Sequence, residues 1–252
     1  MIKSVALSLV VPTLLLAAWQ LAASGGFLSV AYFPAPSRTF DALWGLIATG
    51  ALWGPLGATS LRMLEGWILA SILGIGLGSL IGSSGSAMEY LQPIVEFLRP
   101  LPASAIIPAA ILLFGLSNEM ALLVISFGSI WPVLLGTLHG ISAIEPRLKE
   151  VSATLEMSPA SYLYRVAIPS AQVDIVTGMR ISLAIALILT VVVEMQAAQP
   201  GLGQNILLAQ RMYRSPELYA GIVVLGIFGA CSDRILTAME MRLMRWKHVR
   251  KR

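Results

Sequence analysis

The chain has 252 residues, 57% of them hydrophobic and only 12% charged, with a mean hydropathy of +0.81 and a formal net charge of +4. Soluble domains carry about 25% charged residues, so an ordinary water-covered surface is excluded and a lipid-facing one is implied. The positive balance is no nucleic-acid signal, because most of it sits in the tail 242–252, where it suits the inner face of a membrane. The single cysteine, Cys231, cannot form an internal disulfide.

Crossing a hydrocarbon core of about 30 Å takes roughly 20 helical residues. The segment 4–23 is uncharged and longer than the apolar region of a secretory signal, so it is expected to stay as a first span. Segment 42–61 is also uncharged, but Gly45, Gly50, Gly54, Pro55 and Gly57 interrupt it, and Trp44 and Trp53 suit an interface. It reads as a partly helical interfacial segment outside the membrane, with a seventh span as the competing reading. The second span is 66–82, extendable back to Leu61. Its Gly74, Gly78 and Gly82 share one helical face, where a neighbouring helix can come close; lining a solute path is the alternative role. Segments 100–118 and 120–144 supply spans three and four. The apolar run 181–193 is only about 20 Å long as a helix and must borrow from 173–180, placing Asp174 and Arg180 near the interface. The sixth, 218–232, must run on past Asp233 and Arg234. No charge stands clearly at mid-span.

Basic residues orient the six spans. With the N-terminus inside, Lys3, Arg99, Arg147, Lys149, Arg165 and the six basic residues of 242–252 lie inside, against Arg38, Arg211 and Arg214 outside. Both termini are therefore expected in the cytoplasm, in a single all-α domain spanning 1–252, a polytopic membrane bundle of about six helices.

No enzymatic constellation emerges. There is no GxxxxGK[ST] phosphate loop, so the chain is not expected to split ATP itself. Gly201-Leu202-Gly203 lacks the third glycine of a dinucleotide pattern, and His139 and His248 have no second ligand at metal spacing. No catalytic residue, metal or cofactor is expected in this chain. The polar connection 145–171 is more informative, being long for a link between packed spans. Pro146 opens a short helix reaching Glu156; Ser158 can cap a second with Pro159 at its first position, and Pro169 is expected to end it. Val151, Leu155 and Met157 then form an apolar surface for a partner, or one lying against the chain's own bundle.

At this loop the sequence resembles the EAA loop of ABC-importer permeases. Glu150 takes the Glu position, Val151 and Ser152 replace the two alanines, Leu155 and Ser158 fit, and Arg165, Val166, Ile168 and Pro169 fit the closing segment. Glu156 stands where that family has glycine, at a turn that favours φ > 0. The resemblance extends to Phe33-Pro34-Ala35-Pro36-Ser37, the glycine-rich span from Leu61-Arg62, Leu98-Arg99-Pro100-Leu101-Pro102 with Ile107-Pro108 and Phe114-Gly115, Glu194-Met195 and Gly201-Leu202-Gly203. In order and spacing these resemble the nitrate, sulfonate and taurine branch.

The resemblance implies an importer's membrane subunit in the bacterial inner membrane, carrying a small anion such as a sulfonate, nitrate or taurine. A cytoplasmic ABC ATPase, which holds the ATP and Mg, would dock on Glu150, Val151, Ala153, Leu155, Glu156, Met157 and Ser158, with Pro169 fixing the exit from the loop. A second permease copy would complete the path, and a periplasmic or lipid-anchored solute-binding protein would deliver the solute. The tail 242–252 is expected to anchor on anionic lipid. Arg180 has two readings, facing an anion or sitting at the cytoplasmic interface. An ion-coupled secondary transporter and a non-transporting membrane assembly protein are the alternative functions.

Overall fold

The computed structural model describes residues 2–243; the tail 242–252, apart from Arg242 and Leu243, and His248 lie outside the described residues. Helices α1 (Ile2–Ser24) and α2 (Pro36–Ala48) precede the long α3 (Trp53–Ser83). Then α4 (Gly85–Leu98) and α5 (Ala103–Phe114) lead into α6 (Asn118–Ser142). The short α7 (Pro146–Thr154) and the single turn α8 (Pro159–Tyr162) pass through a π-helical turn, Leu163–Ala167, into α9 (Ile168–Gln196); α10 (Leu202–Arg211) and α11 (Ser215–Leu243) follow. No strand occurs among the described residues.

Close backbone contacts set the helix directions. A Cβ on Gly66 would lie 2.4 Å from Ile125 Cγ2, one on Gly74 2.8 Å from Val133 Cβ, one on Gly78 2.7 Å from Thr137 Cβ, and one on Gly82 3.2 Å from Ile141 Cβ. The two numberings rise together, so α3 and α6 run parallel, pressed together along a seam that only missing side chains permit. On the other side of α6, Gly140 meets Ala171, Gly136 meets Asp174 and Gly128 meets Leu189, so α9 is antiparallel. The Ser182 hydroxyl donates to Ser129 O at 2.6 Å across that contact, and Trp67 Nε1 ties α3 to Met179 O at 3.0 Å. Helix α11 runs antiparallel to α9, with Gly229 beside Leu187 and Arg180 bonded to Thr237.

Parallel α3 and α6 require the chain to cross back between them. The expected straight span at 100–118 does not do this. Helix α5 has 12 residues, about 18 Å of rise. Gly115, with φ 67°, stops it, and Ser117 then caps α6 by accepting from Met120 N at 3.2 Å. The return is made by α4 and α5 together, bent by 91° around Arg99–Pro102. Arg99 stays helical before Pro100, and the bend is completed at Pro102, whose extended backbone (φ −65°, ψ 116°) opens α5 in a new direction.

Four helices are long and apolar enough to cross a membrane, five if the bent pair counts as one span. In α1 the apolar stretch among residues with described side chains is the shorter Val10–Ser24, so the six-span expectation is approximate. Segment 42–61 adds no span of its own: it comprises the end of α2, a turn at Gly50 with φ 78°, and the first turns of α3. Span two thus begins at Trp53 rather than Leu61.

The core lies among α3, α5, α6 and α9, where Met63, Ile107, Met120, Val124, Ile125, Ala186 and Val193 are buried. Large apolar side chains elsewhere face outward, including Leu112, Leu113 and Ile188, as lipid-facing positions do.

Candidate functional site

The connection after α6 forms a compact projection at the end of the bundle shared by Ser83 and Ser142. Pro146 starts α7, and Ser152 buries against the bundle while its hydroxyl donates to Leu148 O at 2.6 Å. The opposite face is open: Val151 and Leu155 are 54% and 68% exposed, and Glu150 and Ala153 are exposed beside them. Met157 is only half-buried within the turn, so the outward apolar surface is Val151 and Leu155 rather than all three residues. Below it a groove of 340 Å³ runs between Gly82, Ile141, Ala153, Met157 and Tyr162.

The turn out of α7 explains the unusual residue. Met157 N donates to Ser152 O at 3.1 Å and Glu156 N to Ala153 O at 3.0 Å, the paired bonds of a Schellman motif whose left-handed residue is normally glycine. Glu156 occupies it with φ 51°. The chain therefore keeps the turn and accepts a strained residue in it, at a cost of about 1–2 kcal/mol. Ser158 Oγ then accepts from Ser161 N at 3.3 Å, with Pro159 at the start of α8.

Pro169 does not end the second helix. The helical path continues from Pro159 to Gln196, 38 residues. Ile168 N reaches back five residues to Leu163 O; this wider turn accommodates the bond that Pro169 cannot donate. The loop is thus joined to a span without a break.

Two cavities lie along the inner faces of α4, α6 and α9. One, of 600 Å³, is lined by Arg99, Gly128, Trp131, Leu135, Asp174, Thr177 and Ile181 among others; the second, of 520 Å³, is lined by Met88, Gln92, Glu96, Arg99 and Leu138 among others. Arg99 and Leu135 border both.

At the opposite end of the bundle is a network that the sequence reading missed. Glu194, in the last turn of α9, is fully buried. Its carboxylate accepts from Arg62 Nη1 at 2.5 Å, Thr59 Oγ1 at 2.9 Å and Gly203 N at 2.9 Å. Arg62 also donates to Pro200 O at 3.2 Å, and Thr59 Oγ1 accepts from Leu202 N at 2.9 Å. A Cβ on Gly201 would sit 2.1 Å from the carboxylate carbon, and one on Gly203 2.6 Å from Val191 O. Gly201-Leu202-Gly203 is therefore a collar around a buried carboxylate. Charges inside the bundle were not expected, because Arg62 and Glu194 each stand near the end of an apolar run; only their 132-residue separation in sequence, closed by folding, makes them a pair. The signal in the sequence was that Leu61-Arg62, Glu194-Met195 and Gly201-Leu202-Gly203 all belong to the resemblance, although nothing in it pairs them.

Arg180 is not free for a solute. It bonds Thr237 Oγ1 at 2.9 Å and Glu240, with Asp233 at 3.7 Å, so its charge holds α9 to α11. No group of three or more metal-type side chains occurs among the described residues.

Comparison with known proteins agrees with this architecture. A permease described as a putative aliphatic sulfonates transport permease from Bacillus subtilis is 31% identical over 240 residues, covering 95% of this chain and 87% of that protein. The Escherichia coli taurine transport system permease is 28% identical, covering 97% and 90%, and a nitrate import permease from Synechocystis is 29% identical, covering 90% and 84%. The crystal structure of an amino acid ABC transporter with histidines matches with a TM-score of 0.62 at 16% identity, over 81% of this chain and 97% of that one, which is a likeness of fold. Residues 70–245 match the family model for the binding-protein-dependent transport system inner membrane component. The chain is a multi-pass integral membrane protein and a permease subunit of that family.

Proposed function

We propose that this permease carries a small oxyanion of the sulfonate type, and that a cytoplasmic ABC ATPase drives it by docking on α7. The observation that carries the reading is the pairing of an exposed apolar face, Val151 and Leu155, with an unbroken helical path from Pro159 to Gln196. An apolar face held on a rigid short helix needs a partner's cleft. The continuous helix turns its displacement into movement of α9, and with it of the cavity wall at Asp174, Thr177 and Ile181. On this reading Glu150, Val151, Ala153, Leu155 and Met157 form the docking surface, Glu156 and Ser158 shape the turn, and Pro169 sets the π turn where lever joins span. The ATP and Mg belong to the ATPase, a soluble binding protein delivers solute at the Glu194 end, and a second copy of this chain completes the path. The basic residues Arg147, Lys149 and Arg165 support a cytoplasmic orientation of the loop end. The sulfonate preference is drawn from the relatives.

The test is co-purification with the cognate ATPase. The Glu150→Arg, Leu155→Asp double variant is expected to lose the ATPase while remaining folded, since both side chains are exposed. Equal retention by the wild type and the double variant would overturn the docking role.

A further inference from the structure

The turn between α10 and α11 is the tip of the bundle opposite the loop. Helix α10 starts with Gly203 against Val191 O in α9 and climbs past Gly221, which meets Ile206, toward the first turn of α11. Its foot is fixed, because Leu202 N and Gly203 N are bonded to Thr59 and Glu194. Its top is fixed as well: the Ser215 hydroxyl donates to Ala31 O, and Trp19 and Phe33 pack on Tyr219 with ring centroids 5.6 and 6.5 Å away. On this base the tip carries large side chains that nothing covers. Met212, Tyr213 and Tyr32 are 59%, 72% and 62% exposed. Arg211 and Arg214 flank the first two; both are exposed, and neither side chain has a hydrogen bond or ion pair among the described residues. The turn closes as the loop does. Arg214 N donates to Ala209 O at 2.8 Å and Tyr213 N to Gln210 O at 3.1 Å, with Tyr213 at φ 56° in the position that favours glycine. A groove of 510 Å³ opens on one side, between Tyr32, Arg211 and Tyr213, and one of 300 Å³ on the other, beside Leu208, Met212 and Arg214. Glu217, which lines the second groove, is the sole carboxylate in either, and it does not pair with Arg214.

We propose that this tip is the docking face for the solute-binding protein, and that it takes a rim of that protein bearing carboxylates. The inference rests on the import reading above and gives a location to the partner named in the family's own description, a binding-protein-dependent system. Tyrosine, methionine and arginine are the side chains enriched in protein interfaces, and tyrosine and arginine carry much of their binding energy. The lipid-facing positions of α9 and α11 differ from this pattern: Ile188, Ile222 and Ile227 are aliphatic. Two unpaired guanidinium groups bracketing the anchors select carboxylates, which they grip through a planar fork. They also draw an acidic partner to this end of the molecule. Contact with lipid headgroups needs no fixed turn, whereas a docked protein gains from anchors already held in place. A left-handed tyrosine on a base bonded at both ends supplies that. The foot of α10 shares the Glu194 collar with α9, so load on the tip bears on the same helix that the loop joins.

The experiment uses the purified permease–ATPase complex in lipid nanodiscs, with the fluorescently labelled cognate solute-binding protein as the probe. The wild type is expected to bind it saturably, and less tightly as ionic strength rises. The Arg211→Glu, Arg214→Glu double variant should bind at least about tenfold more weakly, while Arg211→Lys, Arg214→Lys keeps most of the affinity. Retention of the ATPase shows that each variant is folded. Tyr213→Gly separates docking from folding. It relaxes the turn, so the complex should melt no lower than the wild type, yet its affinity for the binding protein should fall at least about threefold. Wild-type affinity in the double glutamate variant or in Tyr213→Gly overturns the proposal, as does absence of saturable binding to the wild type. If the charge reversal lowers only the recruitment of phosphatidylglycerol around the complex in mixed-lipid nanodiscs, the tip is a headgroup contact and the proposal falls. ATPase activity of the same complex is the separate control. A wild type with an active, retained ATPase whose binding protein ignores the tip loses only this inference; one that never retains the ATPase loses the import reading.

Discussion

The two ends of this bundle handle polarity in opposite ways. At the Glu194 end, a fully buried carboxylate and a nearly buried guanidinium are paired and surrounded by Thr59, Gly203 N and Pro200 O. At the loop end, the apolar Val151 and Leu155 are left in water on a short helix. The first arrangement binds α3, α9 and the start of α10 into one body. The second is unsatisfied in the isolated chain. A closed end and an open apolar end, joined by the continuous helix from Pro159 to Gln196, are what the proposed lever needs: a fixed end and one that a docked ATPase would drive.

The contrast breaks most readily at the closed end. Glu194→Ala leaves Arg62 buried and unpaired, a change expected to destabilise by about 3–5 kcal/mol. Loss of the monodisperse protein, or a lowered melting temperature in detergent, would show it. The Glu194→Ala, Arg62→Met double variant should recover most of that loss, because it removes the stranded charge; a double variant as unstable as the single one would show that the network is not the source. Gly78→Val comes next. Its side chain would meet Leu134 O and Thr137 Cβ at 2.7 Å, and forcing α3 off α6 should cost about 1–3 kcal/mol, read as a smaller drop in the same melting temperature. The smallest effect belongs to the loop. Glu156→Gly relieves the left-handed strain and should stabilise by about 1 kcal/mol. It should also raise ATPase activity in the complex if a stiff glutamate turn holds α7 away from its best docking position. A lower melting temperature would contradict the strain, and unchanged ATPase activity would confine the effect to stability.

Much was legible before folding. Composition alone required lipid-facing helices, because 12% charged residues cannot cover a water-facing surface. The caps of the loop were legible too: Pro146, Ser158 and Pro159 act on their own neighbours within one turn, and the structure uses each of them there. The glycine spacing at 74, 78 and 82 marked a face of α3, although its partner could not be read, since any helix can meet a smooth face. Two local signals were misread. Uncharged 100–118 resembled a span, yet Pro100, Pro102 and Gly115 break it into a bend and a half-length helix. Pro169 resembled a stop, but the π turn before it carries the helix through.

What the sequence by itself determined, then, is the solvent of each segment and the local punctuation of the loop, because hydropathy, proline geometry and capping act over a few residues. Only the tertiary structure decided which charges are paired and which are left facing a cavity. Arg62 with Glu194, Arg180 with Glu240, and Arg99 near Asp174 are all arginine–carboxylate combinations distant in sequence. Their different fates follow from helix direction and crossing. Antiparallel α9 brings Glu194 against Arg62, and antiparallel α11 brings Glu240 against Arg180, while the bent α4–α5 return leaves Arg99 at a cavity wall.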